Sequence, residues 1–185
     1  MGEHENTPKL PIMHDMLMSI LASAAHSNLS SRVNFEAAVT TAFSWFLRCG
    51  EFMIQTGKAF DPSVHIMRSS VQFMPSITIP LHVIIIIPSS KTDPFRKGVA
   101  ITIASAPGAC TCTVATLKAL FEFVGQLSES PLYMQDNGTP LSWGFLISQV
   151  RAGLTCMGFK ASKFSGHSFC HGMASSAAAV SFNNY

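Results

Sequence analysis

Apolar residues recur at helical spacing in the first stretch of the chain, where Ile12, Met16, Leu17, Ile20, Leu21 and Ala24 follow Pro11. Steps of three and four residues put them on one face, and proline suits a first turn, so the spacing predicts a helix over 11–26. Asn34 then offers a capping side chain ahead of FEAAVTTAFSWFLRCGE, with Glu36 placed at the positive end and Gly50 as a left-handed stop. Arg48 falls in the last turn of this second helix. From Val64 to Ile103 the pattern changes to β-branched runs broken by turn residues, which predicts strands, among them 81–87 and 99–104. The polar loop PSSKTDPFRKG between those two places Lys91 near a hairpin tip.

Helical spacing returns beyond Gly108, with Val114, Leu117, Leu120, Phe121 and Val124 on one face and Gly125 as the stop. YMQDNGTPLS reads as a turn, residues 142–157 as a further helix ending at Gly158, and a last helix opens near Ser168. Two helices, a small antiparallel sheet and three helices make an α+β, mainly helical order. Without βαβ alternation, a doubly wound nucleotide-binding fold is disfavoured.

Composition narrows the picture a little further. A chain of 185 residues with 48% hydrophobic content can bury one good core, and no repeat or low-complexity linker marks a boundary, so residues 1–185 are expected to form one domain with 1–9 flexible. A net charge of +2 permits a nucleic-acid partner without arguing for one. Five cysteines, at 49, 110, 112, 156 and 170, form no CxxC pair, and MGEHENTPKL carries no secretory leader, which fits a reducing intracellular compartment. ITIPLHVIIIIP holds two prolines and is far shorter than the ~20 residues of a membrane span, so it reads as a strand and no membrane partner is expected. No phosphate-cradling glycine loop, HExxH or GxSxG is present.

Polar residues at element ends are the candidates for chemistry: Arg48 after helix two, Lys91 on the hairpin, His167 before the last helix. Each also has a plain structural reading, as a helix C-terminal charge, a solvated loop residue and a capping group. Taken in order, however, FLRCGEF, SSKTDPFRKG and FSGHSF followed by an alanine-rich helix resemble the catalytic domain of the tyrosine recombinase (phage integrase) family, particularly copies carried by eukaryotic mobile elements. The resemblance runs from about residue 10 to 185.

What the resemblance implies is specific. Arg48, with Glu51 in an LRxxE context, would bind the scissile phosphate; Lys91 would protonate the leaving 5′ oxygen; and His167 would be the histidine of an HxxR motif. Arg96, Lys97 and Lys163 would join Arg48, Lys91 and His167 in contacting DNA. Double-stranded DNA is the implied partner, with self-association on DNA, a nuclear location, and neither a small-molecule cofactor nor a metal. The implied fold is a set of helices flanking a small antiparallel sheet.

Two departures bear on activity. The position of the second phosphate-binding arginine is held by Cys170, a weak donor without a permanent charge, where a guanidinium would hold two phosphoryl oxygens at once. The family's nucleophilic tyrosine lies on a segment beyond the HxxR helix that has no match here, and Tyr185, only 18 residues past His167, reads as a packing or capping aromatic. The expectation is therefore an incomplete, degenerate domain that is catalytically inactive. Cysteine and histidine at 170 and 171 each lie a single C-to-T change, read on one strand or the other, from an arginine codon, and Trp143, on a helix face where the family tolerates a basic residue, is reachable similarly. GHSFCHG thus reads as a decayed GHSFRRG.

Other readings remain. The same fold could persist as a non-catalytic DNA-binding or interaction remnant of a mobile element. A metal-binding domain could instead use His167, Cys170 and His171, with Cys110 and Cys112 nearby, although H-x-x-C-H and C-x-C lack the usual paired spacing.

Overall fold

The computed structural model describes residues 9–24, 28–44, 52–88 and 98–182. The first helix, α1 (His14–Ser23), buries Leu17 and Ile20 and is shorter at both ends than the spacing predicts. Its start is delayed because the amides of Leu10 and Ile12 donate to the carbonyls of Lys163 (2.8 Å) and Ser168 (2.9 Å). Residues 9–13 therefore run as a strap whose backbone is satisfied by another segment.

Asn34 does not cap the second helix. That helix, α2 (Leu29–Ser44), starts six residues earlier than a cap at Asn34 would place it, and its cap is Asn28, whose Oδ1 accepts from the Ser31 amide at 2.8 Å. Asn34 is buried inside it, donating from Nδ2 to the Ser30 carbonyl (2.9 Å) and accepting the Met134 amide at Oδ1 (2.8 Å). Glu36 likewise lies past the first turn and pairs with Arg32 at 2.7 Å. Every residue from Val33 to Phe43 except Glu36 is buried, so beyond its partly exposed first turn α2 has no solvent stripe and occupies the centre of the molecule.

The sheet consists of β1 (Val71–Met74), β2 (His82–Ile87) and β3 (Val99–Ala104), antiparallel in the order β1-β2-β3. The expected strands over 81–87 and 99–104 are present, with Val83 opposite Ile103, Ile85 opposite Ile101 and Ile87 opposite Val99. Val83, Ile85 and Ile87 point inward, the alternation of a sheet with one covered face. The stretch before β1, expected as strand from Val64, instead ends in a short 3-10 turn at Arg68–Ser70. Gly98 has φ +73°, and a Cβ there would stand 2.9 Å from the Ile87 carbonyl, so the start of β3 requires glycine. No helix among the described residues is long and apolar enough to cross a membrane.

Helix α3 (Thr113–Phe123) buries Val114, Leu117 and Leu120 as its spacing predicts. It ends as Val124 turns extended, and Gly125 is not the left-handed stop expected of it. Helix α4 (Trp143–Cys156) is capped by Ser142 Oγ, which accepts from the Phe145 amide, and is closed by Gly158 at φ +82°. Helix α5 (His167–Phe182) follows a 3-10 turn at Ala161–Lys163. Around the central α2 pack α3, α4 and α5, while α1 lies on α4 and α5 and α3 lies along β3.

Candidate nucleic-acid interface

The segment FSGHSFCHG is seated from below by buried groups that leave its histidines outside. Phe164 is 2% exposed, and its carbonyl accepts both Nε (3.1 Å) and Nη2 (2.7 Å) of Arg151, a bidentate bracket reaching across from α4. Ser168 closes the turn reciprocally: its Oγ accepts the Ser165 amide (2.9 Å) and its own amide donates to the Ser165 carbonyl (3.0 Å). Ser168 and Phe169 are wholly buried.

Two glycines fix the approach of neighbouring chains. A Cβ on Gly166 would lie 1.9 Å from Trp143 Cζ3, and one on Gly172 would lie 1.7 Å from the Ile12 carbonyl oxygen. Trp143, read from sequence as a place where a basic residue would be at home, thus covers the turn that begins α5 and is packed on the core. With 164, 166, 168, 169 and 172 turned inward, His167 and His171 are exposed and Cys170 is half-buried. Positions 167, 170 and 171 share one helical face.

That face begins at the positive end of a 16-residue helix, where backbone N–H groups and the macrodipole favour an anion. Lys163 is exposed in the turn just before it, as is Lys160. Imidazole donors, nearby ammonium groups and a helix N-terminus suit the oxygens of a phosphodiester. Cys170 contributes no fixed charge to them.

Arg48, Glu51, Lys91, Arg96, Lys97 and Tyr185 lie outside the described residues. Their flanking elements are described: α2, which leads toward Arg48, packs on α5, and the Ile87–Val99 pair closes the sheet on either side of the Lys91 loop. Of the sequence candidates among the described residues, Lys163 and His167 are exposed and Cys170 is half-buried, all on the short segment that leads into and opens α5. Among the described residues no group of three or more His, Cys, Asp or Glu could hold a metal ion.

Sequence reasoning missed the residues that position this face. Arg151 on an amphipathic helix reads as a solvated charge, and only the fold reveals its carbonyl partner. The strap at Leu10 and Ile12 carried a helical pattern, and no local signal pairs it with residues 163 and 168.

No protein-family model matches the sequence, and no curated protein matches it. Solved structures do. The chain is similar to the XerH site-specific recombinase in its post-cleavage complex with a palindromic difH substrate, at TM-score 0.61 and 15% identity, over 93% of this chain and 43% of that one. It is similar also to XerH in a pre-cleavage complex with difH, at TM-score 0.56 and 17% identity, over 90% and 42%. The chain spans less than half the length of either. Among the described residues, five helices around a small three-stranded antiparallel sheet, superposing over nine-tenths of this chain on a recombinase, make its fold tyrosine recombinase catalytic-domain-like.

Proposed function

We propose that this chain is a duplex-DNA-binding domain of the DNA breaking and rejoining class, and that as written it binds without cleaving. One observation carries the reading: on a recombinase-like fold, His167 stands exposed as the first residue of α5, four positions after the exposed Lys163. In this reading Arg48, Lys91 and His167 act on the scissile phosphate, and Arg96, Lys97 and Lys163 hold the flanking backbone.

Charge develops on the non-bridging oxygens when a phosphodiester is attacked, and a second guanidinium would neutralise it without needing a metal. Cys170 cannot supply that charge; loss of one comparable donor costs on the order of 10² to 10³ in rate. The reading therefore favours a DNA-binding remnant of a mobile element over an active strand transferase. Self-association on DNA and a nuclear location belong to the same proposal.

A suicide duplex, nicked so that a covalent intermediate cannot religate, tests it. At low salt the protein should retard the duplex and form no denaturant-resistant adduct. An adduct from the unaltered sequence would overturn the claim of inactivity, and failure of folded protein to bind any duplex at low salt would overturn the reading itself.

A further inference from the structure

Arg68 is an unusual buried cation. Its side chain is all but sealed, the residue being 5% exposed, and burial pushes its guanidinium down from the usual range. Nη2 reaches the Leu120 carbonyl only at 3.5 Å, Cζ sits 4.1 Å from the centroid of the Phe121 ring, and Nη1 has no partner at all. The ion pairs among the described residues are His14–Asp15, Arg32–Glu36 and Lys118–Glu122, so no described carboxylate answers this charge. An unpaired buried charge with an orphaned donor is strongly unfavourable unless something completes it.

Nη1 is closed to solvent, so an acceptor reaches the guanidinium only from the side on which Arg68 borders open space. Arg68 lines an open cavity of about 400 Å³ together with Ser69, Val71, Phe121, Val124 and Gln126. One wall is apolar, from Val71, Phe121 and Val124, and hydroxyl and amide groups stand at its edge. We propose that this cavity is a binding site for an organic carboxylate, whose apolar body lies on Val71, Phe121 and Val124 and whose oxygens accept from the Arg68 guanidinium. A carboxylate matches the planar fork of the guanidinium, and the apolar wall selects against a bare inorganic anion. The cavity takes no residue from the α5 face, so the site is independent of the DNA-binding reading. A free small molecule and the carboxylate end of a peptide share this chemistry.

The rival account makes Arg68 a cation for the carbonyls ending α3, held over Phe121 and needing no ligand. Amide-resolved NMR titration of the full chain separates the two, with benzoate, N-acetylphenylalanine, benzamide and inorganic phosphate as probes. The proposal expects saturable shifts at Ser69, Gln126 and Ser128 with either carboxylate, and affinity for benzamide roughly tenfold or more weaker, as loss of a charge-assisted hydrogen bond implies. Tighter binding of N-acetylphenylalanine than of benzoate assigns the site to a chain end, and the reverse order to a small molecule. Arg68→Met should abolish the shifts. Gly125 lines the same cavity, and a Cβ there meets nothing within 4 Å, so Gly125→Leu should block binding with Arg68 and the fold intact. Absence of saturable shifts with both carboxylates, equal binding of benzamide, preferential binding of phosphate, or unchanged binding in Gly125→Leu would each overturn the proposal.

Discussion

Alanine at Gly172 should unseat the helix that carries the candidate interface. The added Cβ would fall 1.7 Å from the carbonyl oxygen and 2.6 Å from the carbonyl carbon of Ile12, which are backbone atoms that no rotamer change can clear. Either α5 or the strap must move. Separating them breaks the bond from the Ile12 amide to the Ser168 carbonyl, and it loosens Ile12, which is completely buried. A net hydrogen bond contributes about 0.5 to 1.5 kcal/mol, and burying an isoleucine side chain about 1.5 to 3 kcal/mol. The expected loss is therefore roughly 2 to 4 kcal/mol, less about 1 kcal/mol for the higher helix propensity of alanine. Urea denaturation followed by circular dichroism measures it, and a double-mutant cycle locates it: Ile12→Ala should cost clearly less in the Gly172→Ala background than alone. A Gly172→Ala protein within 0.5 kcal/mol of the parent, with Ile12→Ala fully additive, would refute the account of how the strap holds α5.

Arg151→Met should release the Phe164 carbonyl, destabilising the fold by about 1 to 3 kcal/mol and weakening duplex binding in an anisotropy titration, although Arg151 itself need not touch DNA. Asn34→Leu should cost about 1 to 3 kcal/mol in urea denaturation, because the buried Asn34 no longer supplies an acceptor to the half-buried Met134 amide. Tyr133 is buried with its hydroxyl 2.7 Å from Thr41 Oγ1, and burial holds its phenol well above the usual value of 10.0. The neutral phenol belongs to the folded state, so its contribution is complete below about pH 10 and lost as pH rises toward the folded value. Tyrosinate absorbance should therefore show Tyr133 ionising only together with alkaline unfolding. Tyr133→Phe should remove that component.

Where local pattern and tertiary context agree, the elements were legible from sequence. β2 and β3 match their predicted spans because a β-branched run alternates into one core face, and α4 matches because Ser142 and Gly158 punctuate it with side-chain and backbone chemistry that acts within a few residues. Asn34 was misplaced because capping and buried bracketing ask for the same side chain, and the partner that distinguishes them, Met134, is 100 residues away. The strap carries helical spacing because Ile12 is buried, yet its amides are claimed by residues more than 150 positions on. His167 was found in the sequence through its neighbours in FSGHSF, and the structure puts it, exposed, on the first turn of α5. Arg68 carried no signal, since a burial without a counter-charge is invisible until the cavity beside it is seen.

The central claim is that the 167–171 face of α5 meets DNA phosphate and lacks a guanidinium at 170. Fluorescence anisotropy of a labelled duplex across a salt series, for the parent protein and for Cys170→Arg/His171→Arg, tests it most directly. The parent should bind weakly, with affinity falling as salt rises, because phosphate contacts release condensed counterions. The double variant should bind about tenfold or more tighter at low salt, with the log–log salt slope steeper by roughly one unit for each new phosphate contact. Equal affinity and equal slope in two folded proteins would contradict the account, since guanidinium groups added to a phosphate-binding face cannot leave it unchanged.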